Sequence, residues 1–95
     1  MGPLHFTLAW HDPDGMFMGV LDAARHAVDE TVRTWGEDCV NQSGAVEHNC
    51  KVPGVGMVFV VVSSQPGTGE FVVHATRSRQ TMMEIFDEFR AEIES

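Results

Sequence analysis

Histidine and cysteine side chains are the residues of this sequence that could bind a metal ion. The 95-residue chain has five histidines and two cysteines. His48 and Cys50 stand two positions apart, so on a β-strand both would point to one face, about 7 Å apart. Zinc sites usually need four ligands, with CxxC or HxxxH pairs as common signatures, and the sequence contains neither. We therefore expect no metal ion and no cofactor, with Cys50 packed as a small hydrophobic residue and His48 near a sheet edge.

The cysteines could also act as nucleophiles in catalysis. This would need Cys39 or Cys50 beside a histidine base, and a third group that orients the base. The sequence supplies the residue types but no signature such as GxSxG. Its paired glycines, at 54–56 and 67–69, each lead into a strand, whereas a phosphate-binding loop follows a strand and opens a helix. We expect no enzymatic activity.

The net charge of the protein indicates which kinds of partner it can bind. The formal net charge is −8, from 14 acidic residues against six lysines and arginines. This sign opposes direct binding to nucleic acid and docking on an anionic membrane surface. No apolar run approaches the ~20 residues of a membrane span, and residues 1–5 lack the pattern of a secretory signal. A cytoplasmic protein with reduced cysteines and a basic protein partner is expected.

The most β-prone run of the sequence is Val55–Ser64. It is apolar on both sides, since Met57, Phe59 and Val61 alternate with a second set, Val58, Val60 and Val62. A strand of this kind belongs in the middle of a sheet, with both faces at least partly covered.

The remaining elements follow from periodicity. Apolar residues that alternate with polar ones predict strands around residues 4–10, 46–52 and 71–76. Apolar residues at three- and four-residue steps predict a helix that ends near Trp35, with Asp12 as its N-cap, and a last helix capped by Ser78 or Thr81. The Pro53-Gly54 link should pair Val52 with Val55, although a type II turn here could cause a slip or a bulge.

These elements predict a single α+β domain over residues 1–95, in the order β-α-β-β-β-α. We expect a two-layer sandwich, with a four-stranded, mainly antiparallel sheet and both helices on one face. The alternative is one helix on each face. In the two-layer arrangement the open face would expose an apolar patch, and such patches usually mark an interface. We expect self-association, as a homodimer, through four residues of that patch: Val58, Val60, Val62 and Val72.

The last helix carries a broad acidic arc. Its members, which we expect to contact a partner, are Glu84, Asp87, Glu88, Glu92 and Glu94. Arg90 is the only basic residue from Gln80 to the end of the chain. Glu92 and Glu94 also lie near the negative end of the helix dipole, where anions are unfavourable. The alternative interpretation is an ordinary solvated helix face.

The sequence thus predicts a small, acidic, non-enzymatic interaction domain, for example an inhibitor or decoy that binds a basic, nucleic-acid-binding protein. A second hypothesis is a homo-oligomeric domain that binds a small molecule on its open sheet face. A small enzyme with an unrecognised site is the third hypothesis.

Overall fold

Six elements follow one another in the computed structural model, which describes residues 5–15, 17–35, 45–64 and 70–94, with the side chains of residues 35, 64 and 90–94 outside the described part. The elements are β1 (Phe6–Trp10), α1 (Met18–Trp35), β2 (Ala45–Val52), β3 (Gly56–Ser64), β4 (Phe71–Thr76) and α2 (Arg79–Glu94). The α+β class and the order β-α-β-β-β-α are therefore confirmed.

The four strands form one sheet in the order β1-β4-β3-β2. β3 is antiparallel to both β2 and β4, whereas β1 lies parallel to β4. The sheet is therefore mixed, and the expectation of a mainly antiparallel sheet is corrected at β1. Parallel neighbours need a long connection. Here α1, with 18 residues, carries the chain from β1 at one edge to β2 at the other.

The two helices lie on opposite faces of the sheet, so the two-layer arrangement with both helices on one face is wrong. One core joins α1 to the even-numbered residues of β3, and a second core joins α2 to Phe59 and Val61. The physical reason lies in β3, which is apolar on both sides. A single helical layer would leave one row of its side chains in water, and each such side chain gains about 1.5 kcal/mol or more from burial.

The β2–β3 turn sets which side of β2 faces α1. The Val55 N–H donates to the Val52 carbonyl at 3.0 Å, which closes a turn around Pro53-Gly54. Gly54 and Gly56 have φ of +80° and +105°, a region that favours glycine. Val52 consequently pairs with Gly56 and not with Val55, a shift of one residue from the expected register. Because side chains alternate, this shift moves all of β2 to the other face relative to β3.

The four valines expected on an open face do not share one. Val62 pairs with Val73 on β4, so the side chains of both point to the α1 side. Val72 precedes Val73 on the same strand, and its side chain therefore points to the α2 side. Val58, Val60 and Val62 are all 0% exposed, packed beneath α1. The expected self-association surface is therefore wrong in its placement, because three of its members form the core.

Candidate functional site

The exposed side of α2 is fixed by how the helix begins and packs. Ser78 caps the helix, since its hydroxyl accepts the Thr81 N–H at 3.2 Å. Met82 and Ile85 are buried against β3, and Phe86 and Phe89 pack beside them. With this apolar stripe on the sheet, the opposite arc of the helix must face away from it.

We define the acidic face of α2 as Met83, Glu84, Asp87 and Glu88. All four are exposed, and Met83 keeps 53% of its surface accessible. Glu84 accepts a hydrogen bond from Gln80 at 3.2 Å. Three of the acidic residues singled out in the sequence thus lie together on one exposed surface. The side chains of the other two, Glu92 and Glu94, lie outside the described part.

The two arginines near the start of α2, Arg77 and Arg79, contact residues outside its acidic face. Arg77 binds the carboxylates of Asp12 at 2.8 Å and Asp14 at 2.7 Å. The guanidinium carbon of Arg79 lies 5.1 Å from the centre of the Phe59 ring. None of the described basic side chains forms an ion pair with the carboxylates of the acidic face of α2, a feature that sequence periodicity could not reveal.

A pair of histidines borders the acidic face. His11 Nε2 and His74 Nδ1 lie 2.8 Å apart, and the His74 ring contacts the edge of Phe89, with centroids 5.7 Å apart. Burial lowers the pKa of His74, as does positive charge on His11, while Glu88 opposes both effects. A hydrogen bond between two imidazoles needs one neutral nitrogen as acceptor. The hydrogen bond between His11, which follows β1, and His74 on β4 therefore forms only while one of the two rings is neutral.

His48 and Cys50 are held in the α1 side of the sheet. The Thr31 hydroxyl donates to the Ala27 carbonyl at 2.7 Å and lies 2.8 Å from His48 Nε2, which can donate to it. Burial lowers the pKa of His48 and raises the pKa of the Cys50 thiol. A raised thiol pKa is the opposite of what an activated nucleophile needs. Both side chains have structural contacts here, and Cys39 lies outside the described residues.

A metal ion would need several ligands that converge. Within the described part of the chain, no group of three or more histidine, cysteine, aspartate or glutamate side chains is placed to hold one. That no metal binds stays a prediction, and elemental analysis of the purified protein tests it.

The densest polar network lies at the carboxyl ends of β1 and β4. Asp12 accepts hydrogen bonds from the Thr76 hydroxyl at 2.7 Å and from the Arg77 N–H and Nε at 3.1 and 2.8 Å. The Trp10 indole N–H donates to the Asp14 carbonyl, and Arg77 lies over the Trp10 ring. Ligands often bind at such strand ends in α/β sheets. Here the polar groups satisfy one another, so the network fastens the β4–α2 junction to β1.

This network corrects the role expected for Asp12. The first helix starts at Met18, too far along the chain for Asp12 to be its N-cap. Burial raises the pKa of Asp12, but the hydrogen bonds from Arg77 and Thr76 outweigh it and hold the pKa below its usual value. The partner of Asp12 is 65 positions away, so no local sequence pattern could have found it.

Acid should weaken the fold through its two half-buried histidines. The pKa values of His48 and His74 are lowered in the folded state, so the unfolded chain binds protons first. The free energy of unfolding should therefore fall as pH drops below about 6.5, the ordinary histidine value. Urea titrations at intervals of about half a pH unit, from pH 8 to pH 5, measure how the free energy of unfolding changes with pH. The double variant His48→Asn/His74→Asn should flatten this dependence. An unaltered slope in the double variant would contradict the assignment.

Comparisons with known proteins complete the description of the site. No helix within the described ranges is long and apolar enough to cross a membrane. The chain matches no family model, no curated protein and no solved structure.

Proposed function

We propose that this protein is a small, non-enzymatic interaction domain that binds a positively charged surface of another protein through the acidic face of α2. One observation carries the proposal. Glu84, Asp87 and Glu88 are exposed and unpaired with any described cation. Arg77 instead binds Asp12, and the guanidinium of Arg79 lies over the Phe59 ring. A helix with unbalanced charge raises the encounter rate with a basic partner.

Two further features suit the acidic face to binding. Met83 supplies a flexible apolar side chain among the carboxylates, and such a side chain can fill an uneven partner surface. The helix is also fixed in place by its contacts with β3 and β4. A rigid binding surface loses little conformational entropy when it meets its partner.

The partner class we favour is a basic, nucleic-acid-binding protein, which this domain would inhibit by occupying its cationic surface. Carboxylates one helical turn apart, as at Glu84 and Glu88, present repeated negative charge to such a surface. The setting we propose is the cytoplasm, where Cys50 would remain a free thiol. The hypothesis of a small-molecule site on an open sheet face loses its basis, since α1 covers Val58, Val60 and Val62.

Neutralising two charges of the acidic face should weaken binding to a cationic probe. The variant is Glu84→Gln/Asp87→Asn, and the probe is a synthetic arginine-rich helical peptide. We expect the Kd to rise about tenfold at low salt, because each solvent-exposed ion pair contributes about 0.2–1 kcal/mol. Isothermal titration calorimetry at two salt concentrations measures it, and wild-type binding itself should weaken as salt is added.

The matched control removes two charges from the exposed side of α1, in Asp22→Asn/Asp29→Asn. Both variants have the same net charge, so a non-specific effect of charge would weaken them equally. Equal Kd values for the two variants would overturn the proposal. A pull-down from the native host with the wild type and both variants then extends the test to the natural partner.

A further inference from the structure

β2 forms one edge of the four-stranded sheet in the described part of the chain. It is hydrogen-bonded to β3 along one side, and its other side has no neighbouring strand among the described elements. Its eight residues pair with β3 without interruption from Ala45 to Val52, so no bulge or internal proline breaks the strand. Proteins usually protect such edges with short strands, bulges, prolines or lysines. Of these devices β2 has only Lys51.

The exposed side chains of β2 form a pattern that is complementary to itself. Glu47, Asn49 and Lys51 alternate along the strand and are all exposed. The Asn49 amide donates to the Glu47 carboxylate at 2.8 Å. Asn49 lies midway between the two charges. Consider an antiparallel copy of β2 that is related to the first by a two-fold axis at Asn49. Glu47 of each copy would then lie opposite Lys51 of the other, which gives two pairs of opposite charges.

Other registers lack this match. Backbone groups that point outward occur at every second residue, so a two-fold axis must pass through a residue position. An axis at His48 puts Lys51 opposite Ala45, and an axis at Cys50 puts Glu47 opposite Pro53. An axis at Glu47 or Lys51 brings like charges face to face, which is destabilising. Among these registers, only the one centred on Asn49 pairs both charges.

The opposite side of the strand is compatible with the same register. It would set Val46 against Val52 of the second copy, and His48 against Cys50 of the second copy. The first pair is apolar, and the second joins two half-buried side chains of neutral character. The Asn49-centred register thus buries no charge on the α1 side.

We infer that β2 binds β2 of a second copy of this chain, antiparallel and centred on Asn49, to give one continuous eight-stranded sheet. A two-fold axis perpendicular to the sheet keeps both α1 helices on one face and both α2 helices on the other. The acidic face of α2 remains exposed in each copy, so this inference is independent of the proposed function. A foreign strand could also add to this edge, but it would not need a self-complementary pattern.

Charge exchange within β2 tests the pairing. Glu47→Lys places two lysines opposite each other at both ends of the pairing, and Lys51→Glu does the same with two glutamates. Each single variant should raise the dimer Kd about tenfold or more, since cross-strand charge pairs favour or oppose pairing according to sign. The double variant Glu47→Lys/Lys51→Glu restores opposite charges and should return the Kd to near the wild-type value. Sedimentation equilibrium from micromolar to millimolar concentrations measures all four proteins.

The two single variants control for general charge repulsion. Glu47→Lys makes the net charge of −8 less negative by two, and Lys51→Glu makes it more negative by two. Repulsion between whole molecules would thus shift the two Kd values in opposite directions, whereas loss of the strand pairs raises both. Opposite shifts, unchanged dimerisation in both, or a wild type that stays monomeric at millimolar concentration would each overturn the inference.

A cross-link gives a second readout of the register. In a background with Cys39→Ser and Cys50→Ala, Asn49→Cys would place two thiols directly opposite each other, with Cβ atoms about 4.5–5.5 Å apart. Mild oxidation should then give a covalent dimer. Ala45→Cys in the same background is the matched control, because it keeps both charge pairs and its counterpart lies eight positions away in the second copy. Equal cross-linking of both variants would contradict the Asn49-centred register.

Discussion

Replacing Val60 with lysine is expected to unfold the protein. Val60 is 0% exposed, lies on the central strand β3 and packs in the core beneath α1. Its neighbours in the sheet are His48 on β2 and Ala75 on β4, and neither offers a negative charge. A buried lysine without a partner must shed its hydration or its proton, which costs several kcal/mol. That is a large share of the ~5–15 kcal/mol by which a small domain is stable.

Circular dichroism and urea denaturation measure this effect, with Val72→Lys as control. Val72 is only half-buried and lies on the other side of the sheet, so its lysine can extend toward water. We expect Val72→Lys to keep the fold with a smaller loss of stability. A folded Val60→Lys variant with the wild-type melting temperature would contradict the burial of β3 beneath α1.

The second large effect is expected from Asp12→Ala. The Asp12 side chain is 10% exposed, and it accepts hydrogen bonds from both Thr76 and Arg77. Without it the buried Thr76 hydroxyl loses its acceptor, a loss of about 1–3 kcal/mol for a buried polar group. Arg77 would also lose the carboxylate that holds it over Trp10. The β4–α2 junction should loosen, and the midpoint of urea denaturation should fall.

Asp12→Asn separates the hydrogen bond from the charge. Its amide oxygen can still accept from Thr76, so it should be less destabilising than Asp12→Ala. Because the pKa of Asp12 is lowered by folding, its stabilisation is present above the ordinary aspartate value of about 3.9 and is lost as pH falls below it. The wild type should therefore lose stability relative to Asp12→Asn below about pH 4. Parallel curves for the two proteins would show that the Asp12 charge contributes nothing.

Periodicity was enough to predict the elements of this fold but not their arrangement. The stripe of α2 and the double-sided run of β3 depend on neighbouring residues, and both are found as expected. The face that each helix covers depends on contacts between distant segments, which no local pattern records. The register of β2 against β3 depended on Val55. This residue belongs to the turn and not to β3, so the turn is one residue longer than expected. A change of one position there decided which side of β2 meets α1.

Part of the candidate site could likewise be predicted from the sequence, and part of it could not. The exposure of Glu84, Asp87 and Glu88 follows from amphipathicity alone, and the structure bears that placement out. The directions of Arg77 and Arg79 do not follow from the sequence, since Arg77 meets Asp12 across most of the chain. Whether these two arginines pair with the acidic face of α2 could therefore be judged only from the structure.

The parallel pairing of β1 with β4 has a consequence for how the chain folds. Phe6 pairs with Phe71 and Trp10 with Ala75, so most of the sequence lies between the partners. During synthesis β1 emerges first but must wait for β4, while β2, β3 and β4 can form hairpins as they appear. Non-local pairing of this kind slows folding, because a long loop must close before any contact is gained. Until β1 pairs with it, the edge of β4 with its apolar residues stays open to other nascent chains, and this is the stage at which aggregation competes with folding.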